Sequence, residues 1–272
     1  MEFTAGSLDV SVIFHTVNEI SGFLLFMHQQ IPALLQDITA EFDSRSEKYK
    51  DLESALRDDQ VKPALRRKHA GEMREAKRGI RRFQKLMDGV SHFQTALKMV
   101  ITEAAPRFGK VLLILGGNPM RPQHVYELSF SGRSAGSGGE EVEVDFAKSR
   151  AAEVLCRKAI RGLVSMNVGA VSYPGPLKLF LLVQAPSCLN QPLHFLPKRD
   201  FKYSNKIVPM RIRFKCKNQN QNIDQSSQTG SSDALVESDS DGGDYIWFQC
   251  RHVIKGLAFN TEPEGGIAQD FS

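Results

Sequence analysis

KVLLILGGNP occupies residues 110–119, and VYELSF follows at 125–130. A continuous apolar run stopped by Gly-Gly-Asn-Pro reads as a buried strand and a turn. The second segment alternates and is the natural candidate to pair with the first. These two segments decide the fold class, because the patterning on either side of them differs. Upstream the apolar residues recur at helical spacing. Downstream, strand-like runs alternate with one helix. The expected class is α+β, with a mixed sheet backed by helices.

Working upstream, residues 16–30 (TVNEISGFLLFMHQQ) predict a helix with Val17, Ile20, Leu24 and Met27 on its apolar side. Pro32 punctuates it, and helical character resumes through PALLQDITAEF. Residues 44–62 are polar and charged, a solvated helix or a loop. A long helix is expected after Pro63. In its second half Ile80, Phe83, Met87, Val90, Phe93, Leu97, Val100 and Ile101 step by three and four and share one face. Its first half, 64–79, has few apolar positions and is expected to project toward solvent.

Working downstream, SGRSAGSGGEE at 131–141 predicts a flexible loop. Val142, Val144 and Phe146 alternate as in a strand. A helix over 149–167 carries Ala152, Cys156, Ile160 and Val164 along one side, beside Arg157 and Arg161. Residues 177–183 form a second buried strand, and 186–200 a proline-punctuated loop. Residues 207–216 alternate Ile212 and Phe214 with Arg211, Arg213 and Lys215, and Pro209 points that strand to a sheet edge. Residues 217–243 are Asn/Gln/Ser/Asp/Gly-rich, a predicted disordered insertion. DYIWFQCRHVIKGLAF, 244–259, is aromatic and β-rich. After so long a linker it must find its partners far away in sequence, in a sheet already built.

The chain has 272 residues and 41% hydrophobic content, enough for one sizeable core. No apolar run is expected to reach the ~20 residues of a membrane span. The N-terminus MEFTAGSLDV lacks the pattern of a signal peptide, so cytosol or nucleus is the expected compartment. Cys156, Cys188, Cys216 and Cys250 form no metal-spaced pair and read as free thiols in or near a core. Net charge is +4 but uneven: residues 44–85 hold 14 Lys/Arg against 7 Asp/Glu, and 218–244 hold 6 Asp/Glu and no Lys/Arg.

Catalytic patterns are wanting. GGNP follows a strand, as phosphate loops do, but no Gly-Lys-Ser/Thr comes after it. None of the histidines sits in an HExxH pattern or beside an obvious nucleophile. No enzyme activity, metal or cofactor is expected, and the business of the chain is expected to be binding other proteins. The basic stretch KPALRRKHAGEMREAKRGIRRFQK at 62–85 could meet phosphates. It carries no interleaved aromatics for base stacking, so it reads as a solvated helix face or a protein contact. The competing readings are a chromatin or nucleic-acid-binding module using 62–85, and an unrecognised hydrolase.

The ordered set KVLLILGGNP…YEL, DYIWFQ…KG and HQQIP at 28–32 resembles the comet family of HORMA-domain adaptors, which bind the Mad spindle-checkpoint protein. The helix 151–168, the Pro176-Leu177 strand start and Phe195-Leu196-Pro197-Lys198 fall at compatible spacing. The resemblance covers nearly the whole chain, with 41–75 and 217–243 matching only as variable insertions. It implies a single HORMA-like domain over 1–272, with a C-terminal safety-belt segment, 244–259, that occupies its own client groove. Tyr245, Trp247 and Phe248 are the implied belt residues, and Tyr245, Trp247 and Cys250 are expected to fix its register. It implies a Mad-binding face of Met27, Cys156, Arg157, Ile160, Arg161 and Val164. A second face of Phe195, Pro197, Lys198 and Arg199 would dock a hexameric AAA+ ATPase that remodels HORMA proteins. The implied partners are the closed Mad protein, that ATPase and meiotic chromosome-axis HORMA proteins, with neither membrane nor nucleic acid. The implied setting is nucleus and cytoplasm, at kinetochores or the spindle. Two departures stand in the interface: the family has an aromatic residue where Ile160 stands and Gln where Met27 stands.

Overall fold

The computed structural model describes residues 1–57, 63–104, 108–132, 146–169, 175–217 and 244–257. The central hairpin forms as its pattern predicts. Strand β2 (Lys110–Gly116) pairs antiparallel with β3 (His124–Ser131), and on its other side with β4 (Lys178–Pro186). Its apolar run is continuous because both faces of the sheet are covered. Val111, Leu113 and Leu115 point into the main core, while Leu112 and Ile114 join Val125, Phe180 and Leu182 in a smaller cluster on the opposite face. Phe201, Tyr203, Ile207 and Trp247 cover that second cluster. Each such aliphatic side chain, fully buried, contributes about 1.5–3 kcal/mol.

The other strands are β1 (Glu2–Ala5), β5 (Phe195–Lys198), β6 (Met210–Cys216), β7 (Tyr245–Cys250) and the short β8 (Ile254–Lys255). The strand order is β1-β6-β3-β2-β4-β7-β5, and β8 pairs with β4 beyond the end of β7. The β1–β6 and β3–β6 pairs are parallel and the rest antiparallel, so the sheet is mixed.

Helices α1 (Val10–Met27) and α4 (Arg150–Ser165) and the inner half of α3 (Pro63–Glu103) back one face of the sheet. Asp9 caps α1 by accepting from Val12 N at 2.8 Å, and Ser149 caps α4 by accepting from Ala152 N at 3.2 Å. Helix α1 stops where Gln29 turns left-handed, at φ 55°. The turn after α4 needs Gly169, which sits at φ +88°; a Cβ there would strike the Met27 carbonyl. On the predicted face of α3, Phe83, Val90, Phe93, Leu97, Val100 and Ile101 are buried and Ile80 and Met87 half-buried, while Leu86, not on that predicted face, is buried as well.

Several expectations are corrected. Helix α1 begins at Val10 rather than residue 16. At 18 residues it is long and apolar enough to cross a membrane, contrary to the expectation, although 12 of its residues are buried in this fold. The charged stretch after residue 44 belongs to α2 (Leu35–Leu56), a helix lying along α3, with Leu52 and Ala76 buried. The outer half of α3 does present most of its residues to solvent, as expected, and α2 lies along it. Strand β6 is not at the edge, because β1 covers it in parallel, with Phe3 opposite Phe214. Pro209 lies just ahead of β6, where its missing N–H costs no ladder bond. The predicted loop 186–200 contains β5, which forms one edge of the sheet, with β1 at the other. Phe146 is in no strand; its ring meets Phe14 edge-on at 5.3 Å. The loop 131–141 beyond residue 132, Val142 and Val144, the insertion 217–243 beyond residue 217, and residues 258–259 lie outside the described residues.

Candidate functional site

The helical face comes first. Helices α1 and α4 run parallel: Ser11 Oγ donates to Ala147 O at 3.1 Å, Thr16 meets Cys156, and Met27 meets Gly169. The predicted stripe Ala152, Cys156, Ile160, Val164 does not lie on one side. Steps of four advance about 400° around a helix, so three steps drift by about 120°. Ala152 and Cys156 are therefore buried, Ile160 is half-buried, and Val164 is 53% exposed.

Cys156 is removed from the expected contact face. It is 3% exposed, its Sγ lies 4.0 Å from Thr16 Oγ1, and burial pushes its thiol up to about 11. Ile160 lines a groove of about 520 Å³ between α1, α2 and α3, together with Gly22, Phe23, Leu34 and Leu35. Its rim is polar. Glu19 holds Lys148 at 3.0 Å, and Gln94 donates to Asn18 at 3.1 Å. Arg157 is exposed and ion-paired with Glu153, and Arg161 is exposed on the next turn. Met27 is half-buried and stands apart from this groove. From the Thr16–Cys156 level it lies about 10 Å farther along the helix axes than Ile160.

The sheet-edge face lies on the other side. Pro197, Lys198 and Arg199 line a groove of about 640 Å³ with the β2–β3 turn (Gly117, Asn118, Met120) and Lys178. Asn118 Oδ1 accepts from Met120 N at 2.8 Å and shapes that turn. Three cations meet one carboxylate here, Asp200. Phe195 is 2% exposed and belongs to the core, so it is removed from the expected docking face. Pro197 fits an edge strand, where a residue without an N–H is tolerated.

The C-terminal segment runs antiparallel to β4 over nearly its whole length. Strand β7 lies between β4 and β5, with Val183 opposite Phe248 and Pro197 opposite Phe248 on the other side. Ile246, Phe248 and Cys250 point into the main core, and burial raises the Cys250 thiol to about 11. Tyr245 and Trp247 point to the other face and are half-buried. The Trp247 ring meets Phe201 at 6.4 Å. The register is thus held by Ile246, Phe248 and Cys250 on one face and Trp247 on the other.

Two groups at this segment carried no functional assignment in the sequence. At its end, Gly256 N donates to Leu177 O and Leu257 N to Gln30 O, both at 2.8 Å. Gln30 is buried; its Oε1 accepts from Leu177 N, and its Nε2 donates to His28 O at 2.8 Å. His28 Nε2 lies 2.6 Å from Tyr126 Oη, and its ring packs on His124 at 4.4 Å. Burial, and then the neighbouring His124, hold His28 down at about 4. The second group is His92, His194 and His252, drawn from α3, the start of β5 and the end of β7. The His194 and His252 nitrogens are 2.9 Å apart, and His92 stacks on His252 at 5.2 Å. Burial lowers the His252 pKa, with His194 and His92 adding to it. Among the described residues no group of three or more His, Cys, Asp or Glu is arranged to hold a metal ion. Spacing could not have revealed either group, since their members lie far apart in sequence.

The protein is thus α+β, with a helical groove, a separate sheet-edge groove and a C-terminal segment docked into its sheet. Neither a protein-family model nor any curated protein matches the chain.

Proposed function

We propose that this chain is a non-enzymatic adaptor built on a HORMA-like domain. It binds the closed form of the Mad checkpoint protein and presents it to a hexameric AAA+ ATPase that remodels HORMA proteins. The outcome is silencing of the spindle assembly checkpoint, with meiotic chromosome-axis HORMA proteins as further clients. The protein acts in nucleus and cytoplasm, at kinetochores or the spindle. The observation that carries this reading is the C-terminal segment. Strand β7 fills the slot between β4 and β5, and β8 continues along β4, which is how a HORMA-like chain would fill its own client-peptide groove. The helical groove supports the reading too: Ile160 forms an apolar centre, with Arg157, Arg161 and Val164 exposed around it. Lys198 and Arg199 lie on a different groove, so two partners need not compete.

The test uses purified adaptor, closed Mad protein and ATPase. Ile160→Glu places a charge at the apolar centre and should weaken Mad binding by about 2 kcal/mol or more, roughly thirtyfold. The circular dichroism of the variant should be unchanged. Lys198→Glu with Arg199→Glu should keep the Mad complex but lose ATP-dependent opening, and the wild-type ATPase contact should weaken with salt. Absence of any complex between the wild-type chain and the closed Mad protein overturns the reading.

A further inference from the structure

The outer half of α3 carries a charge pattern that the adaptor reading leaves unused. Between residues 63 and 85 it holds nine Lys/Arg and two Asp/Glu. Arg67, Arg74, Arg78, Arg81 and Lys85 are all exposed. They follow at steps of seven, four, three and four, which places them within about 60° of one another on the helix and over a length of about 27 Å. The apolar seam of this half, Ala76, Phe83 and Leu86, lies about 150° away and is buried. Glu72 and Glu75 fall toward that seam, so neither interrupts the stripe. Asp88, bonded by Gln84 Nε2 at 2.9 Å, marks its inner end. Helix α2 lies along α3; on it Glu41 pairs with Arg45 and Glu53 with Arg57, while Asp43, Glu47 and Asp51 are exposed. Among the described residues none of the five stripe residues is ion-paired with a carboxylate.

We propose that this stripe is a sequence-independent binding surface for the phosphate backbone of duplex DNA. A double helix presents one negative charge per ~1.7 Å of its axis, so a 27 Å basic line can neutralise several phosphates at once. Four of the five cations are arginine, whose fork binds phosphate oxygens in pairs. All five stripe side chains are exposed, which leaves the stripe open to a rod-shaped partner. A lipid surface fits less well, because the apolar face of α3 is already packed and Leu65 is the one large exposed hydrophobic described on this half. Single strands fit less well, because no aromatic ring sits on the stripe to stack with bases. Duplex RNA offers a major groove too narrow for a helix, whereas that of B-form DNA admits one.

The experiment is fluorescence anisotropy of the full chain with a labelled DNA duplex of about 20 base pairs, repeated over a salt series. Binding in the micromolar range is expected near 0.1 M salt, with little difference between two unrelated sequences. For five phosphates the slope of log K against log salt should be about −4 to −5. Arg74→Glu/Arg78→Glu/Arg81→Glu should cut affinity at least tenfold and flatten the slope by about 3. Arg74→Gln/Arg78→Gln/Arg81→Gln, the milder variant, covers any folding defect and should show an intermediate loss. The proposal is overturned if the wild-type slope is shallower than about −1, or if the charge-reversed chain binds as the wild type does. It is also overturned if phosphatidylserine vesicles or polyglutamate bind as tightly at the same salt, which would assign the stripe to a membrane or an acidic protein. Loss of Mad binding leaves this inference untouched, since the two surfaces share no residue.

Discussion

Acidification should destabilise this protein through His28, a residue with no catalytic part in the proposed function. His28 is 1% exposed at the end of α1, between Tyr126 and His124. Its pKa falls from 6.5 to about 4, because burial, reinforced by His124, disfavours the imidazolium. The unfolded chain takes up a proton as pH drops through 6.5, whereas the folded chain resists until about 4. Stability is therefore fully present above the unfolded value and is lost as pH falls through this window. Between about pH 7 and pH 5 the loss from this one group is about 2 kcal/mol, approaching about 3 kcal/mol below pH 4. His124 and His252 are also lowered, and both push in the same direction. The assay is urea unfolding at several pH values, for the wild type and for His28→Gln. The substitution should lower stability at neutral pH, through the lost Tyr126 contact, and flatten the acid slope by about 2 kcal/mol over that range. Equal acid slopes for the two proteins would refute the assignment of a buried neutral imidazole.

Phe248→Ala opens the core beneath the C-terminal segment, where Phe248 is 3% exposed, and should cost about 3–5 kcal/mol of unfolding free energy; a loss under about 1 kcal/mol would mean β7 is not packed there. A chain cut at a protease site engineered into residues 218–243 should keep its C-terminal piece through native gel filtration, because that piece is held by β4 on one side and β5 on the other. Gly169→Ala should lower the melting temperature, since it forces both a strained φ and a collision with the Met27 carbonyl; an unchanged melting curve would show that the α4 turn is not seated against α1.

The sequence by itself determined the α+β class, the central hairpin, the long helix α3 and the distant aromatic strand. Each leaves a local record, because burial on one face imposes a period of 2 or 3.6 and burial on two faces removes the period. Tertiary structure alone decided three other matters. Strand β1 is four residues long and pairs with residues more than 200 positions away, through backbone bonds that carry no side-chain signature. On α4, Ile160 looked equivalent to Cys156, yet one lines a groove and the other lies under it; that depends on how the helix is rotated against α1, which no repeat of four can specify. The polar lock at Gln30 and the cluster of His92, His194 and His252 draw on helices, strands and turns that meet only once the sheet is assembled, because hydrogen-bond partners and ring contacts are chosen by distance in space.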